Sequence, residues 1–154
     1  MMLHRIRFSG GILERGFWLY VWRIECHDRM FFYVGRTGDR SSKFAASPFS
    51  RLSQHLDVRK TAAANMLMRH VRRLKLDPLA CVFELLALGP LFPEQSTLEL
   101  HRMYRDRIAP LEAALAAHLC SKGLEVVGNH SAKGAVDQQL LAEVPCAFGE
   151  ALVV

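Results

Sequence analysis

Three observations predict an α/β chain of the α+β kind, a small three-stranded antiparallel or mixed sheet flanked by helices in the order β-β-α-α-β-α-α. Residues 17 to 24 and 30 to 34 are two aromatic and β-branched runs joined by a short polar stretch, a hairpin signal. Leu67, Val71 and Leu74, and later Leu111, Leu115 and Leu119, recur at helical spacing. Between these two helical regions, Cys81 to Leu88 is apolar except for Glu84 and short enough to be a buried strand. With three strands in view, helices must cover the sheet. The 154 residues, 51% hydrophobic and 23% charged, suit a single domain with a core over 16–130 and a short C-terminal tail over 131–154.

The elements follow in order. A hairpin loop of Glu25 to Asp28 pairs Ile24 with Arg29 and sets Tyr20 directly opposite Tyr33, so that two phenols project from one face. A polar loop follows Gly35-Arg36-Thr37-Gly38-Asp39. Ser47-Pro48 then supplies a capping hydroxyl and a first-turn proline, and residues 48 to 57 read as a helix. Thr61 is the candidate cap of a second helix, which ends at Asp77-Pro78. Gly89-Pro90 with Pro93 closes the third strand. Ser96-x-x-Glu99 has the capping-box pattern for a helix through Arg107, and Pro110 either kinks that helix or starts a new one. Gly123 stops it, and Leu124 to Val127 reads as a short extended segment leading to Gly128-Asn129.

Composition narrows the setting. No stretch reaches the roughly 18 apolar residues of a membrane span, and the chain start has no signal-peptide run, so a cytoplasmic protein with no membrane partner is expected. Cys26, Cys81, Cys120 and Cys146 lack Cys-x-x-Cys spacing and read as reduced, mostly buried thiols. The formal charge of +5 and the sequence pI of about 9.3 suit a polyanionic partner without requiring one. Arg59, Lys60, Arg69, Arg72, Arg73 and Lys75 have no acidic residue among them, and Arg102, Arg105 and Arg107 form a second basic group. A phosphate track and a solvated helix face both account for such a pattern.

Trp18-Leu19-Tyr20 and Tyr33-Val34-Gly35, with residues 21 to 32 between them, resemble the paired triplets of the GIY-YIG nucleases. The resemblance continues in Arg51 and His55 on the following helix, in Glu112 on a later helix and in Asn129 beyond it. It departs where that family usually begins its first triplet with glycine, which is Trp18 here, and in the long stretch from Gly35 to Arg51. The resemblance implies a metal-dependent endonuclease acting on DNA with Mg²⁺ or Mn²⁺. Tyr20, Tyr33, Arg51, His55, Glu112 and Asn129 would be its catalytic residues.

These residue types suit that chemistry. Arg51 and His55 stand at i and i+4 and so share a helix face; arginine binds two phosphate oxygens while staying charged. Glu112 offers a hard oxygen to a cation that keeps several waters. Glu99, by contrast, has a sufficient reason in the capping box. The resemblance gives Tyr20 a part in activating water, with His55 as helper or alternative base, and Tyr33 and Asn129 position. Arg36 joins Arg59, Lys60, Arg69, Arg72, Arg73 and Lys75 as the DNA-contacting set. His27 falls in the hairpin turn, and His70, His101, His118 and His130 read as surface or interface residues. Trp18 and Trp22 suit either base stacking or sheet packing. Specificity would come from loops, a dimer partner or a separate targeting subunit. Two alternatives are a nucleic-acid-binding module of the same fold without cleavage, and a protein-interaction domain.

Overall fold

The computed structural model describes residues 3–39, 42–63, 65–132 and 134–152; Met1, Met2 and the tail residues Lys133, Val153 and Val154 lie outside it. β1 (Gly16–Cys26) and β2 (Arg29–Arg36) form the expected hairpin, and β3 (Cys81–Pro93) pairs with the other edge of β1, giving the order β2-β1-β3. Both pairings are antiparallel, so the three-stranded sheet is not mixed. The turn is shorter than expected. It consists of His27 and Asp28, with His27 in the left-handed region at φ 57°, and Cys26 stays in the strand opposite Arg29. Burial explains the difference: Cys26 is 1% exposed, and a four-residue loop would have lifted it out. Trp22 therefore faces Tyr33 and Tyr20 faces Gly35. The displacement is even, so the two phenols keep a common face as diagonal rather than direct neighbours.

Alternation along β1 feeds two cores. Phe17, Leu19 and Val21 pack with Phe32, Val34, Ile108 and Leu111 under α3 (Leu98–Ser121) and α4 (Gln138–Leu152). Tyr20, Trp22, Ile24 and Cys26 pack with Phe31, Leu67, Met68 and Val71, beneath α1 (Pro48–His55) and α2 (Met66–Arg73). β3, expected to be buried, is an edge strand whose residues are half-buried or exposed. It also runs on to Pro93: Leu88 pairs with Leu19 and Phe92 with Phe17, so Gly89-Pro90-Leu91 bulges opposite Trp18. The extended segment after α3 adds to the far edge, where Val126 bridges Phe32 in parallel.

The helices show which local signals prevailed. Ser47 Oγ accepts the Ser50 amide at 3.2 Å with Pro48 in the first turn, as anticipated, and α1 ends at His55. α2 starts at Met66 rather than near Thr61. Asn65 is buried there, and its amide donates to the carbonyls of Asp57 at 3.0 Å and Arg59 at 3.3 Å, which holds the preceding loop folded. The cap of α3 is Thr97, accepting the Leu100 amide at 3.2 Å, one residue beyond Ser96. α3 then passes Pro110 unbroken. An interior proline costs about 3 kcal/mol, whereas burying Ile108, Leu111, Leu115 and Leu119 contributes about 1.5–3 kcal/mol each, so one continuous helix is retained.

The remaining helix lies within residues 131–154, the segment expected to be a short C-terminal tail. α4 buries Val144, Phe148 and Leu152 in the core shared with α3, a helical spacing overlooked at the chain end. No helix among the described residues is long and apolar enough to cross a membrane. All four cysteines are free thiols, but Cys120 and Cys146 are exposed and Cys81 is half-buried, leaving Cys26 as the buried one. Phe148→Ala should cost about 3–5 kcal/mol in urea unfolding, the range for a large aromatic removed from a core. A loss below about 0.5 kcal/mol, normal for a surface site, would show that α4 does not dock.

Candidate active site

At one end of the sheet, β1, β2, α1, α3 and the loop beyond the extended segment surround a cavity of about 260 Å³. Its walls include Tyr20, Tyr33, Arg36, Asp39, Arg51, Glu112, Asn129 and His130. Tyr20 owes its place to glycine: a Cβ on Gly35 would stand 2.5 Å from the Tyr20 ring, which lies across that residue. Its hydroxyl is 2.8 Å from Nε2 of His55, a residue with no exposed surface. Tyr33 is ringed by three imidazoles, with centroids 5.5 Å away for His55, 5.6 Å for His70 and 5.8 Å for His130.

Burial sets the protonation of this group. It raises both phenols above their ordinary range, against the pull of Arg51. It also lowers His55 to about 3, with the Arg51 charge acting in the same direction. The Tyr20–His55 hydrogen bond therefore joins neutral groups at neutral pH. One imidazole nitrogen, Nδ1, is enclosed without a hydrogen-bond partner.

Arg51, 7% exposed, is held at both terminal nitrogens: Nη2 donates to Asp39 at 2.9 Å and Nη1 to Gln54 at 3.1 Å. Asp39 is carried by a loop pinned from two sides. Thr37 exchanges hydrogen bonds with Trp18, at 3.0 Å through its amide and 2.8 Å through its hydroxyl, and His101 from α3 reaches the Gly38 carbonyl at 3.0 Å. Across the cavity, Arg36 pairs with Oε2 of Glu112, while Oε1 of Glu112 lies 3.7 Å from His130 Nδ1. Burial lowers the His130 pKa, and the Arg36 charge acts the same way. Two arginines thus face two carboxylates. The concavity is balanced in charge rather than basic.

The fold brings Tyr20, Tyr33, Arg51 and Glu112 to one cavity and places His55 behind Tyr20. Asn129 lines it as an exposed residue. Arg36 lies inside the cavity, apart from the other expected DNA contacts. Lys60, Arg69, Arg73 and Lys75 are exposed on or beside α2. Arg59 is matched by Asp57, and Arg72 donates to the Val58 carbonyl. Glu99 is exposed in the first turn of α3. Trp18 and Trp22 are 6% and 2% exposed and so pack within the sheet.

Sequence reading missed Asp39 and misjudged three histidines. His101 is fully buried, His70 is half-buried against Tyr33, and His130 has an 8% exposed side chain in the cavity wall. Only the position of His130 next to Asn129 hinted at this. No group of three or more His, Cys, Asp or Glu residues that could hold a metal is gathered among the described residues. No family model, no curated protein and no solved structure matches this chain.

Because folding depresses the His55 pKa from 6.5 to about 3, the unfolded chain binds a proton in that window that the folded chain refuses. The stability present above about pH 6.5 is lost as pH falls toward 3. Urea unfolding at about pH 7 and pH 4 should show a loss on the order of a few kcal/mol, smaller in His55→Gln than in the unaltered chain. Equal losses would assign the effect to other groups.

Proposed function

We propose that this chain is a divalent-metal-dependent endonuclease of the GIY-YIG type that hydrolyses phosphodiester bonds in DNA, and that it works in the cytoplasm. The observation that carries the reading is the meeting of Tyr20, Tyr33, Arg51, Glu112 and Asn129, remote in sequence, around one cavity of about 260 Å³. Arg51 is preorganised by Asp39 and Gln54, so its charge can meet charge developing on a phosphate without reorganising. Tyr20, whose hydroxyl shares a hydrogen bond with neutral His55, lines the cavity and can orient a water there. Tyr33 and Asn129 position the substrate.

The donor set suits a cation. Arg36 and Arg51 are already balanced by Asp39 and Glu112, so an incoming phosphate needs further positive charge. Glu112 Oε1, free of Arg36, is a hard oxygen for Mg²⁺ or Mn²⁺, and one protein carboxylate suffices for an ion that keeps its waters. When bound there, the ion would supply charge at the departing oxygen. His70 against Tyr33 shows that α2 flanks the cavity, so Arg69, Arg73, Lys60 and Lys75 are available to follow a DNA backbone toward it. Target choice would fall to loops, a second copy of the chain or a separate targeting subunit.

One observation favours a second reading, a nucleic-acid-binding module of this fold without cleavage: the Arg36 ion pair already engages Glu112. Supercoiled plasmid with and without Mg²⁺ or Mn²⁺ separates the two. Metal-dependent nicking is expected; DNA binding without nicking would select the second reading, and no binding at low salt would select a protein-interaction domain. Glu112→Gln should abolish nicking while DNA binding persists. Arg51→Ala should slow cleavage about 10²–10³-fold, the usual loss for a transition-state donor, and change binding far less. Arg73→Ala should instead weaken binding and flatten its salt slope by about 0.9, one phosphate contact. Equal effects of Arg51→Ala and Arg73→Ala on binding and cleavage would overturn this division.

A further inference from the structure

His130 follows a turn that folds its ring back on the chain. Gly128 has φ 110°, and a Cβ there would stand 2.9 Å from His130 Nε2, so the turn needs glycine. The segment before it is fixed by hydrogen bonds from the Phe32 amide to the Glu125 carbonyl and from the Val127 amide to the Phe32 carbonyl, both 2.8 Å. His130 Nε2 lies 3.1 Å from the Val127 carbonyl. A carbonyl only accepts, so Nε2 carries the proton and Nδ1 presents a bare lone pair.

That lone pair faces Glu112 Oε1 at 3.7 Å, too far for a hydrogen bond between them. Two acceptor atoms on side chains 8% and 15% exposed thus look at each other across a gap. Two coordination bonds to nitrogen and oxygen sum to about 4.2 Å, so one ion can reach both atoms. A histidine whose other nitrogen donates to a backbone carbonyl has the arrangement found at metal-ligating imidazoles, where that bond fixes tautomer and ring orientation.

We propose that His130 Nδ1 and Glu112 Oε1 are paired ligands of one divalent cation, and that the nitrogen donor selects a transition-series ion such as Mn²⁺ over Mg²⁺. Imidazole nitrogen suits transition-series ions; Mn²⁺, although it ordinarily takes oxygen ligands as Mg²⁺ does, accepts one imidazole more readily than Mg²⁺, which dehydrates reluctantly and keeps to oxygen. Arg36 remains on Oε2, so the carboxylate is shared between guanidinium and ion. This inference rests on the reading of Glu112 as the metal-holding residue and adds a second ligand to it.

The test is Mn²⁺ binding to the full chain followed by calorimetry and by pulsed electron paramagnetic resonance. The unaltered protein should show ¹⁴N modulation from one coordinated imidazole, changed to the ¹⁵N pattern when its histidines are ¹⁵N-labelled. His130→Gln should remove that modulation and weaken Mn²⁺ binding about tenfold or more, with a much smaller effect on Mg²⁺. Bound Mn²⁺ without nitrogen modulation, or modulation that persists in His130→Gln, would overturn the proposal and leave a carboxylate-only nuclease intact if plasmid is nicked. Absence of Mn²⁺ binding at millimolar concentration would also overturn it, and plasmid nicking in Mg²⁺ would then judge the nuclease reading separately. The labelling result comes from the unaltered protein and stands even if His130→Gln misfolds.

Discussion

β1 has a strand on each side and helices over both faces, and the rest of the molecule depends on that enclosure. Every side chain from Phe17 to Trp22 is buried, so each must match the face it points to. A slip of one residue would put Leu19 and Val21 where Tyr20 and Trp22 belong and send the phenol into an apolar layer. An unpaired buried hydroxyl costs about 1–3 kcal/mol, so the strand has one workable phase. The observed hairpin register and the position of Tyr20 under His55 are consequences of that phase.

The cavity is polar where the two cores are not, and it is stabilised by pairing. Arg51 with Asp39 and Arg36 with Glu112 set two positive groups against two negative ones; Arg51, Arg36 and Glu112 are largely withdrawn from water, and Asp39 meets Arg51 from the exposed side. Breaking either pair would strand a charge, which is far more costly than the pair's net contribution. Thr37 and His101 hold the loop carrying Asp39, so a helix remote in sequence controls the setting of Arg51. The enclosed nitrogens of Arg36, Arg51 and His55 are left unmet by this network.

Much of the local structure was legible because it rests on neighbours in sequence. The cap at Ser47, the stripes of Leu67 and Val71 and of Leu111, Leu115 and Leu119, and the aromatic hairpin all obey rules of short range. Errors arose where short-range signals were ambiguous or overruled. Polar Glu25 disguised two further strand residues as loop, Pro110 looked like a break in a helix whose buried stripe outweighs it, and Ser96 stood beside the better-placed Thr97. Apolar content suggested a buried β3, yet apolar content cannot say which of three strands lies in the middle.

The sequence by itself determined the α+β class, the hairpin with both tyrosines on one face, and the helix that carries Arg51 and His55 at one-turn spacing. These follow from periods of 2 and 3.6 residues and from caps, which act within a few positions of the chain. Tertiary structure alone decided that β1 is central, that α4 closes the core under α3, and that Asp39, Glu112 and His130 join Arg51 and the tyrosines around one cavity. The physical reason is distance along the chain: contacts between residues as far apart as Arg36 and Glu112 depend on how whole layers pack, and no local pattern records that packing.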